Sequence, residues 1–274
     1  MIDPFAEDPP GDPEFPAATP AVTFASGGES LRGVLHVPAG RGPHPVVVLL
    51  HGFPGDERNF DLAQVLRRAG YASLVFHYRG SWGVGGSWSW GHVLEDVTAV
   101  LGGLRGLADV HRLDPRRLAL VGHSMGGFAA LLTAAAEPSV VAVASVAAFD
   151  FGAVAALCRA DPAVRARYVE AFDGELAPLR GTSGEALVGE MEAAGDAWRL
   201  AGLAPRLAGR PVLLIGTGND QVTPHRVHHD PVVAAYLDRR VELRHHLFPT
   251  DHALSDHRVA LARTVLGFLR KVLP

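Results

Sequence analysis

Ser124, Asp220 and His252 are the residues of this sequence whose types and settings could do chemistry together. A serine hydroxyl becomes a nucleophile when a histidine removes its proton, and a carboxylate can hold that histidine in the required tautomer. Ser124 lies within the motif Gly122-His123-Ser124-Met125-Gly126, between an apolar run and an Ala-rich stretch. A serine on a strand-to-helix turn stands at a helix N-terminus, where developing negative charge is favoured. We therefore expect nucleophilic acyl chemistry at Ser124.

The two glycines of this motif support the interpretation. A sharp turn between a strand and a helix leaves no room for Cβ atoms two residues before or after the serine. A Gly-x-Ser-x-Gly pattern without that context would be a weak signal. The chemistry therefore depends on the elements that must position the serine.

Apolar runs and helical patterns alternate along the chain, which predicts a mainly parallel sheet with helices on both faces. Asn59 is predicted to cap the first helix and Gly70 to end it. The predicted strands are 21–37 as a hairpin around Ser26-Gly27-Gly28, 46–50, 73–78, 118–121, 140–146, 211–216 and 241–248. The predicted helices are 59–68, 92–107, the stretch from the serine to about 137, and 255–273.

Residues 151–209 interrupt this alternation, because they carry helical patches but no strand. An ordinary crossover between strands needs far fewer residues, so we interpret 151–209 as a helical lid inserted into a core of 21–150 and 210–274. Residues 1–20 hold six prolines and five acidic residues and are predicted to form an extended or mobile tail. A lid with exposed apolar faces would be able to mediate a homodimer.

Composition excludes several functions. The net charge of −4, from 25 basic and 29 acidic residues, provides no cationic surplus for nucleic-acid binding. Cys158 is the only cysteine, so neither an internal disulfide nor a structural zinc site is expected. Residues 1–20 contain no lysine, arginine or apolar stretch, and no apolar run is long enough to span a membrane. A cytoplasmic protein without metal or cofactor is the expectation.

From about residue 22 onward the chain resembles the serine α/β-hydrolases. Three further motifs match that family in order. His51-Gly52-Phe53-Pro54-Gly55 follows a predicted strand, as does the family's oxyanion loop; Gly216-Thr217-Gly218-Asn219-Asp220 and Asp251-His252 follow later strands, where the family has its acid and its histidine. The resemblance implies an α/β-hydrolase fold with a Ser124–His252–Asp220 triad. It also implies an oxyanion hole formed by the backbone N–H groups of Phe53 and Met125.

Several residues compete for these roles or sit near them. Asp150 also follows a strand, where some members of the family place the acid, and His257 is a rival base. His51 and His123 are expected to be structural, and Cys158 an apolar filler. The group His225, His228, His229 and Asp230 lacks a specified third metal ligand and is interpreted as a solvated, polar helix start.

The loop from Arg79 to Trp90 contains three of the four tryptophans and follows a predicted strand, so it should lie on the active-site edge of the sheet. Trp82, Trp88 and Trp90 could form an aromatic wall that binds substrate. Equally, they could cover the sheet and fix a flexible loop. The Arg-Gly start resembles a group of small esterases, dienelactone-hydrolase-like proteins and catalytic domains of prolyl-oligopeptidase-type peptidases.

The sequence thus predicts a cofactor-independent serine hydrolase that cleaves a carboxylic ester of a small or medium-sized molecule through an acyl-enzyme. Three alternatives stay open. The same triad could serve an acyltransferase, thioesterase or lyase, or a peptidase of the prolyl-oligopeptidase type. The third is a ligand-binding member of the fold without catalysis.

Overall fold

An eight-stranded sheet runs through the centre of the protein, which is described by a computed structural model covering residues 3–274. Most strands are apolar runs without polar alternation, as expected for strands buried on both faces. In chain order they are β1 Ala21–Ser26, β2 Glu29–His36, β3 His44–Leu50, β4 Ala72–Phe76, β5 Leu113–His123, β6 Val140–Val146, β7 Val212–Thr217 and β8 Leu243–Phe248.

The spatial order of the strands is β1-β2-β4-β3-β5-β6-β7-β8. β1 and β2 pair in antiparallel fashion, and so do β2 and β4; every other neighbouring pair is parallel. The predicted mainly parallel sheet with an initial hairpin is therefore confirmed. All parallel strands end at one edge, so the loops that follow β3, β5, β7 and β8 are brought together there.

Helices cover both faces of the sheet. They are α1 Phe60–Arg68, α2 Trp90–His111, α3 Met125–Ala136, α4 Phe151–Ala160, α5 Pro162–Asp173, α6 Gly184–Ala194, α7 His225–His228, α8 Asp230–Asp238 and α9 Arg258–Val272. Along β3, Val47 and Leu49 belong to the apolar core beneath α1 and α9, whereas Val46 and Val48 face the core beneath α2 and α3. This period of two is the reason a continuous apolar run suits the centre of the sheet.

The stretch between β6 and β7 contains helices and no strand. It holds α4, α5 and α6, followed by short 3-10 turns over Gly195–Trp198 and Leu200–Arg206. Its side chains continue the core beneath α2 and α3, since residues such as Leu187 and Met191 are fully buried. An isolated bridge between Ser81 and Leu179 also joins this stretch to the loop after β4.

The N-terminal segment lies against the core. Pro4 accepts a hydrogen bond from Arg68, Phe5 packs on the core beneath α9, and Ala18 forms a bridge with Val37. The segment has a turn over residues 4–6 and a bend over 13–15, and these contacts hold it against the core.

Element boundaries differ from prediction in a few places. Asn59 precedes α1 in a left-handed conformation, with φ 58°, and its side chain makes no cap; it accepts a hydrogen bond from Arg258 instead. The helix predicted from residue 92 begins at Trp90, because the Ser89 hydroxyl caps the amide of His92. The strand predicted over 118–121 extends over the whole of β5, with an irregularity between Leu118 and Ala119.

Candidate active site

Ser124 occupies the turn between β5 and α3, with an unusual backbone conformation of φ 58° and ψ −122°. A Cβ on Gly122 would overlap the backbone of Gly126, and one on Gly126 would overlap the carbonyl of Leu50. The expected steric role of both glycines is therefore confirmed. A strained serine persists only because the surroundings fix the turn, and such strain is typical of functional sites.

The loops after β7 and β8 bring Asp220 and His252 together. His252 Nδ1 lies 2.7 Å from Asp220 Oδ2. The Asp220 side chain is completely buried and that of His252 is 21% exposed. A buried carboxylate on Nδ1 fixes the tautomer that leaves Nε2 free to accept a proton.

Two threonines complete the surroundings of the Asp220 carboxylate. The hydroxyls of Thr217 and Thr223 donate to Oδ2 at 2.7 and 2.6 Å, and the amides of Val222 and Thr223 donate to Oδ1. Burial alone would raise the pKa of Asp220, but hydrogen bonding and the charge of His252 outweigh it and hold that pKa well below its usual range. Asp220 therefore stays ionised beside the imidazole.

His123 connects the serine turn to the histidine loop. Its Nε2 donates to the carbonyl of His252 at 2.8 Å, and the two rings lie 4.8 Å apart. Burial lowers the pKa of His123 to about 4, so its ring is neutral at pH 7. This contact holds the His252 backbone beside Ser124. The His252 ring is hydrogen-bonded to Thr223 and Asp220 and not to the Ser124 hydroxyl; such catalytic hydrogen bonds often form only in the complex with substrate.

The 51–55 loop passes directly against the nucleophile. A Cβ on Gly52 would lie 3.0 Å from Ser124 Cβ and 3.5 Å from its hydroxyl oxygen. His51 donates through Nδ1 to the Gly52 carbonyl at 2.8 Å, which confirms its expected structural role. Met125 is the first residue of α3, so its amide has no acceptor within the helix. The amides of Phe53 and Met125 thus belong to the two segments that border Ser124.

The three tryptophans take different positions. Trp82 is half-buried and donates to the carbonyl of Pro54 at 2.9 Å, under the guanidinium of Arg58. Trp88 and Trp90 are only 2% and 1% exposed. For all three side chains, the contacts and burial favour fixing the loop from Arg79 to Trp90 over binding substrate directly.

Phe53 joins the tryptophans to the helical stretch after β6. Its ring centroid lies 6.0 Å from that of Trp88, 5.1 Å from that of Trp90 and 5.6 Å from that of Phe172. The indole of Trp90 also donates to the carbonyl of Leu187 in α6. Aromatic surface therefore borders the site beside Phe53.

The rival residues lie elsewhere. Asp150 caps α4 by accepting from the amide of Ala153 and makes no contact with His252. His257 pairs with its neighbour Asp256 at the surface. Cys158 is buried within α4.

The histidines of the group before α8 lie in different environments. His225 is paired with Asp230 at 2.9 Å, in keeping with a polar helix start. His228, in contrast, is 3% exposed and accepts from the amide of Asp150, so the predicted solvated position is wrong for this residue.

Sequence reasoning also missed the two threonines that donate to Asp220. Thr217 and Thr223 lie three residues before and after Asp220. This spacing could have indicated them, because within a tight turn a hydroxyl three residues away can reach the carboxylate.

The comparisons with known proteins agree with this fold. The model of the alpha/beta hydrolase family matches residues 47–264, and the chain belongs to that family. Among curated proteins, an Escherichia coli "uncharacterized 31.7 kDa protein in traX-finO intergenic region" is 29% identical over 174 residues, which are 61% of this chain. The match covers only 59% of the length of that relative.

Solved structures extend the likeness over nearly the whole chain. Est1E of Butyrivibrio proteoclasticus with bound ferulic acid superposes with a TM-score of 0.72 at 18% identity, covering 92% of this chain and 99% of Est1E. A Pyrococcus furiosus esterase gives 0.69 at 17% identity, with 97% and 98% covered. The Pyrococcus horikoshii acylaminoacyl peptidase gives 0.69 at 18% identity, with 94% of this chain but 42% of the peptidase covered. At these identities the likeness shows the fold.

Within residues 3–274, no helix is both long and apolar enough to cross a membrane.

Proposed function

We propose that this protein is a serine hydrolase that cleaves carboxylic esters of small or medium-sized molecules, with Ser124, His252 and Asp220 as its triad. The observation that carries the proposal is the 2.7 Å distance between His252 Nδ1 and the buried carboxylate of Asp220. The His252 backbone is in turn hydrogen-bonded by His123, which precedes the strained residue Ser124. Membership of the alpha/beta hydrolase family supports a hydrolase. A protein that only bound a ligand would not need a buried carboxylate on the histidine.

In this mechanism His252 Nε2 removes the proton of Ser124 as its oxygen attacks the ester carbonyl. The resulting oxyanion is held by the backbone N–H groups of Phe53 and Met125. His252 then gives the proton to the departing alcohol, which leaves an acyl group on Ser124. A water molecule, activated by the same histidine, releases the acid and restores the serine.

Aromatic surface beside Phe53 supports an aromatic group on the ester. Phe53 packs against Trp90 and Phe172, and the amide of Phe149 donates to the Ser124 carbonyl. Est1E, the neighbour that holds ferulic acid, gives an independent reason to include aryl esters among the substrates tested. We propose that Trp82, Trp88 and Trp90 act indirectly here, by fixing the loop behind Phe53.

The decisive experiment is covalent labelling with a fluorophosphonate, which reacts with an activated serine. We expect labelling of the wild-type protein and none of Ser124→Ala. Ser255→Ala is the matched control, because Ser255 is a surface serine bonded to Asp251 near the histidine loop; it should label like wild type. Folded wild-type protein that does not label would contradict the proposal.

A substrate panel then separates the kinds of hydrolase. p-Nitrophenyl esters with alkyl and aryl acyl groups should be hydrolysed by wild type and not by Ser124→Ala. Aminoacyl anilides should be poorer substrates than esters. Faster cleavage of the anilides would favour a peptidase instead.

A further inference from the structure

Arg258 is the first residue of α9 and is not used by the proposed triad. Its side chain is 21% exposed, and its guanidinium bonds two loops at once. Nη1 donates at 3.0 Å to the carbonyl of Ala253, which directly follows His252. Nη2 donates at 2.9 Å to the side-chain oxygen of Asn59. Arg258 therefore contacts both the loop that carries the proposed base and the end of the segment that carries the Phe53 amide.

Asn59 is connected to the 51–55 loop by a short segment that is itself hydrogen-bonded. Asn59 is 6% exposed and has φ 58°, so the chain turns there in a buried position. Within the segment, Nε of Arg58 donates to the carbonyl of Gly55 at 2.9 Å. Because so few residues lie between Asn59 and the loop, a displacement of Asn59 is passed on to the amide of Phe53.

Both segments also border the turn of the nucleophile. A Cβ on Gly52 would lie 3.0 Å from Ser124 Cβ. His123 donates to the carbonyl of His252 at 2.8 Å, so the histidine loop is bonded to the residue before the serine. The consecutive carbonyls of His252 and Ala253 are thus held by donors from two different elements.

Arg258 makes the hydrogen bonds that connect the two segments to each other. Across the residues that the structure describes, every hydrogen bond between 51–61 and 250–258 comes from the Arg258 side chain. Two of these bonds, from Nε at 2.8 Å and from Nη2 at 2.6 Å, go to the carboxylate of Asp61, which is 48% exposed. Asp61 neutralises the guanidinium, so the charge of Arg258 and its bridging bonds have different partners.

We propose that Arg258 is a positioning residue for ester hydrolysis at Ser124. By bonding both segments it sets the distance between His252, which takes the serine proton, and the Phe53 amide, which holds the oxyanion. Both groups must reach the same tetrahedral intermediate. A misplacement of about 1 Å between such groups can cost roughly 100-fold in rate. This inference rests on the proposed function, because it uses the roles given there to these residues.

Two substitutions separate the bridging bonds of Arg258 from its charge. In Arg258→Lys the cation beside Asp61 is retained, but one ammonium cannot occupy the positions of both Nη1 and Nη2. In Asp61→Asn the charge pair is lost, whereas the arginine keeps its bonds to Ala253 and Asn59. The measurements are kcat and KM on a p-nitrophenyl ester and the rate of fluorophosphonate labelling.

We expect Arg258→Lys to lower kcat and the labelling rate roughly 10- to 100-fold, with KM changed less than about 3-fold, because the loss concerns the transition state. Asp61→Asn should keep the kcat of wild type. Arg263→Lys is the matched control on the same helix, at an arginine whose guanidinium lies over the ring of Phe5; it should also behave as wild type.

Asn59→Gly tests the bridge without changing the arginine. Glycine adopts φ 58° without strain, so this substitution removes the acceptor of Nη2 and leaves the turn possible. It should lower kcat with little change in KM. Combined with Arg258→Lys, it should cause no further loss beyond the larger single effect, since both changes break one connection.

A wild-type kcat in both Arg258→Lys and Asn59→Gly, or an equal loss in Asp61→Asn and Arg258→Lys, would overturn the inference in favour of a structural ion pair. Failure of the proposed function gives a different result, namely absence of both fluorophosphonate labelling and ester hydrolysis in wild type.

Discussion

Asp220 accepts five hydrogen bonds from the described part of the chain, and only one of them comes from His252. The other four donors are local and lie on Thr217, Val222 and Thr223. They fix both oxygens before any substrate arrives, which is the preorganisation that electrostatic catalysis requires. The Asp220 carboxylate is therefore held by its own loop, and it in turn orients the His252 ring.

Asp220→Asn tests this arrangement. The amide would favour the wrong tautomer of His252 and could not stabilise the imidazolium. We expect kcat to fall by about 10³- to 10⁴-fold with KM changed only a few-fold, as for comparable triads. Steady-state kinetics on a p-nitrophenyl ester measures the effect.

Asp150→Asn is the matched control, because Asp150 is equally buried and also follows a strand, but caps α4. It should lower the melting temperature while kcat stays within a few-fold of wild type. A larger loss of kcat in Asp150→Asn than in Asp220→Asn would show that the acid had been wrongly assigned.

At the scale of elements, the loop from Arg79 to Trp90 is anchored by a buried ion pair. Arg79 donates from its backbone and its Nε to Asp96 in α2, at 2.7 and 2.6 Å, and Ser26 donates to the same carboxylate. Glu95 pairs with the other end of the guanidinium but is 64% exposed. Asp96 thus contacts Arg79 from the buried interior, whereas Glu95 contacts it from the solvent-exposed side.

Asp96→Ala should lower the free energy of unfolding by about 3–5 kcal/mol, because it leaves the Arg79 guanidinium largely buried without its inner partner. Glu95→Ala should cost at most about 1 kcal/mol, since exposed ion pairs contribute little. Denaturant unfolding of both variants provides the comparison. Equal losses would mean that burial does not determine the strength of this anchor.

A second anchor joins α6 to the start of α2. The Glu190 carboxylate accepts from the backbone amides of Trp90 and Gly91, at the N-terminus of α2. Negative charge at a helix N-terminus is favourable, and these amides have no acceptor within the helix. The helical stretch between β6 and β7 is therefore joined to α2 through a helix cap.

At the scale of the whole molecule, several histidines are buried in neutral form. Burial lowers the pKa of His51 to about 3 and that of His123 to about 4. In the unfolded chain these rings titrate near 6.5. Below pH 6.5 the unfolded state therefore binds more protons than the native state, so stability is complete above pH 6.5 and is lost as the pH falls toward 4.

We expect the free energy of unfolding to decrease by at least about 2–4 kcal/mol between pH 7.5 and pH 5.0, since these two histidines alone contribute that much. Guanidinium unfolding at both pH values measures the change. Measurements at pH 7.5 and 8.5 serve as the control, because neither ring titrates in that range. A stability that stays constant down to pH 5.0 would contradict the burial of neutral rings.

The sequence was sufficient to predict the sheet, because strand periodicity and the glycines around Ser124 reflect local sterics. It also predicted that the loops after β3, β7 and β8 lie at the same edge of the sheet as Ser124, since parallel strands must end at one edge. It could not predict that His228 would be buried, because that depends on packing against Phe149, 79 positions earlier. Nor could it define the contacts of the tryptophans, which depend on α6 and on the 51–55 loop.

The bridge between Ser81 and Leu179 has a consequence for folding. Around it, the backbone amide of Trp82 donates to the carbonyl of Pro178, that of Trp88 to the carbonyl of Arg180, and that of Arg180 to the carbonyl of Gly80. The bridged residues are 98 positions apart, so forming these bonds closes a long loop and carries a large entropic cost. We expect the strand–helix units around Ser124 to assemble first and this closure to come late. Substitutions here should then accelerate unfolding more than they slow folding.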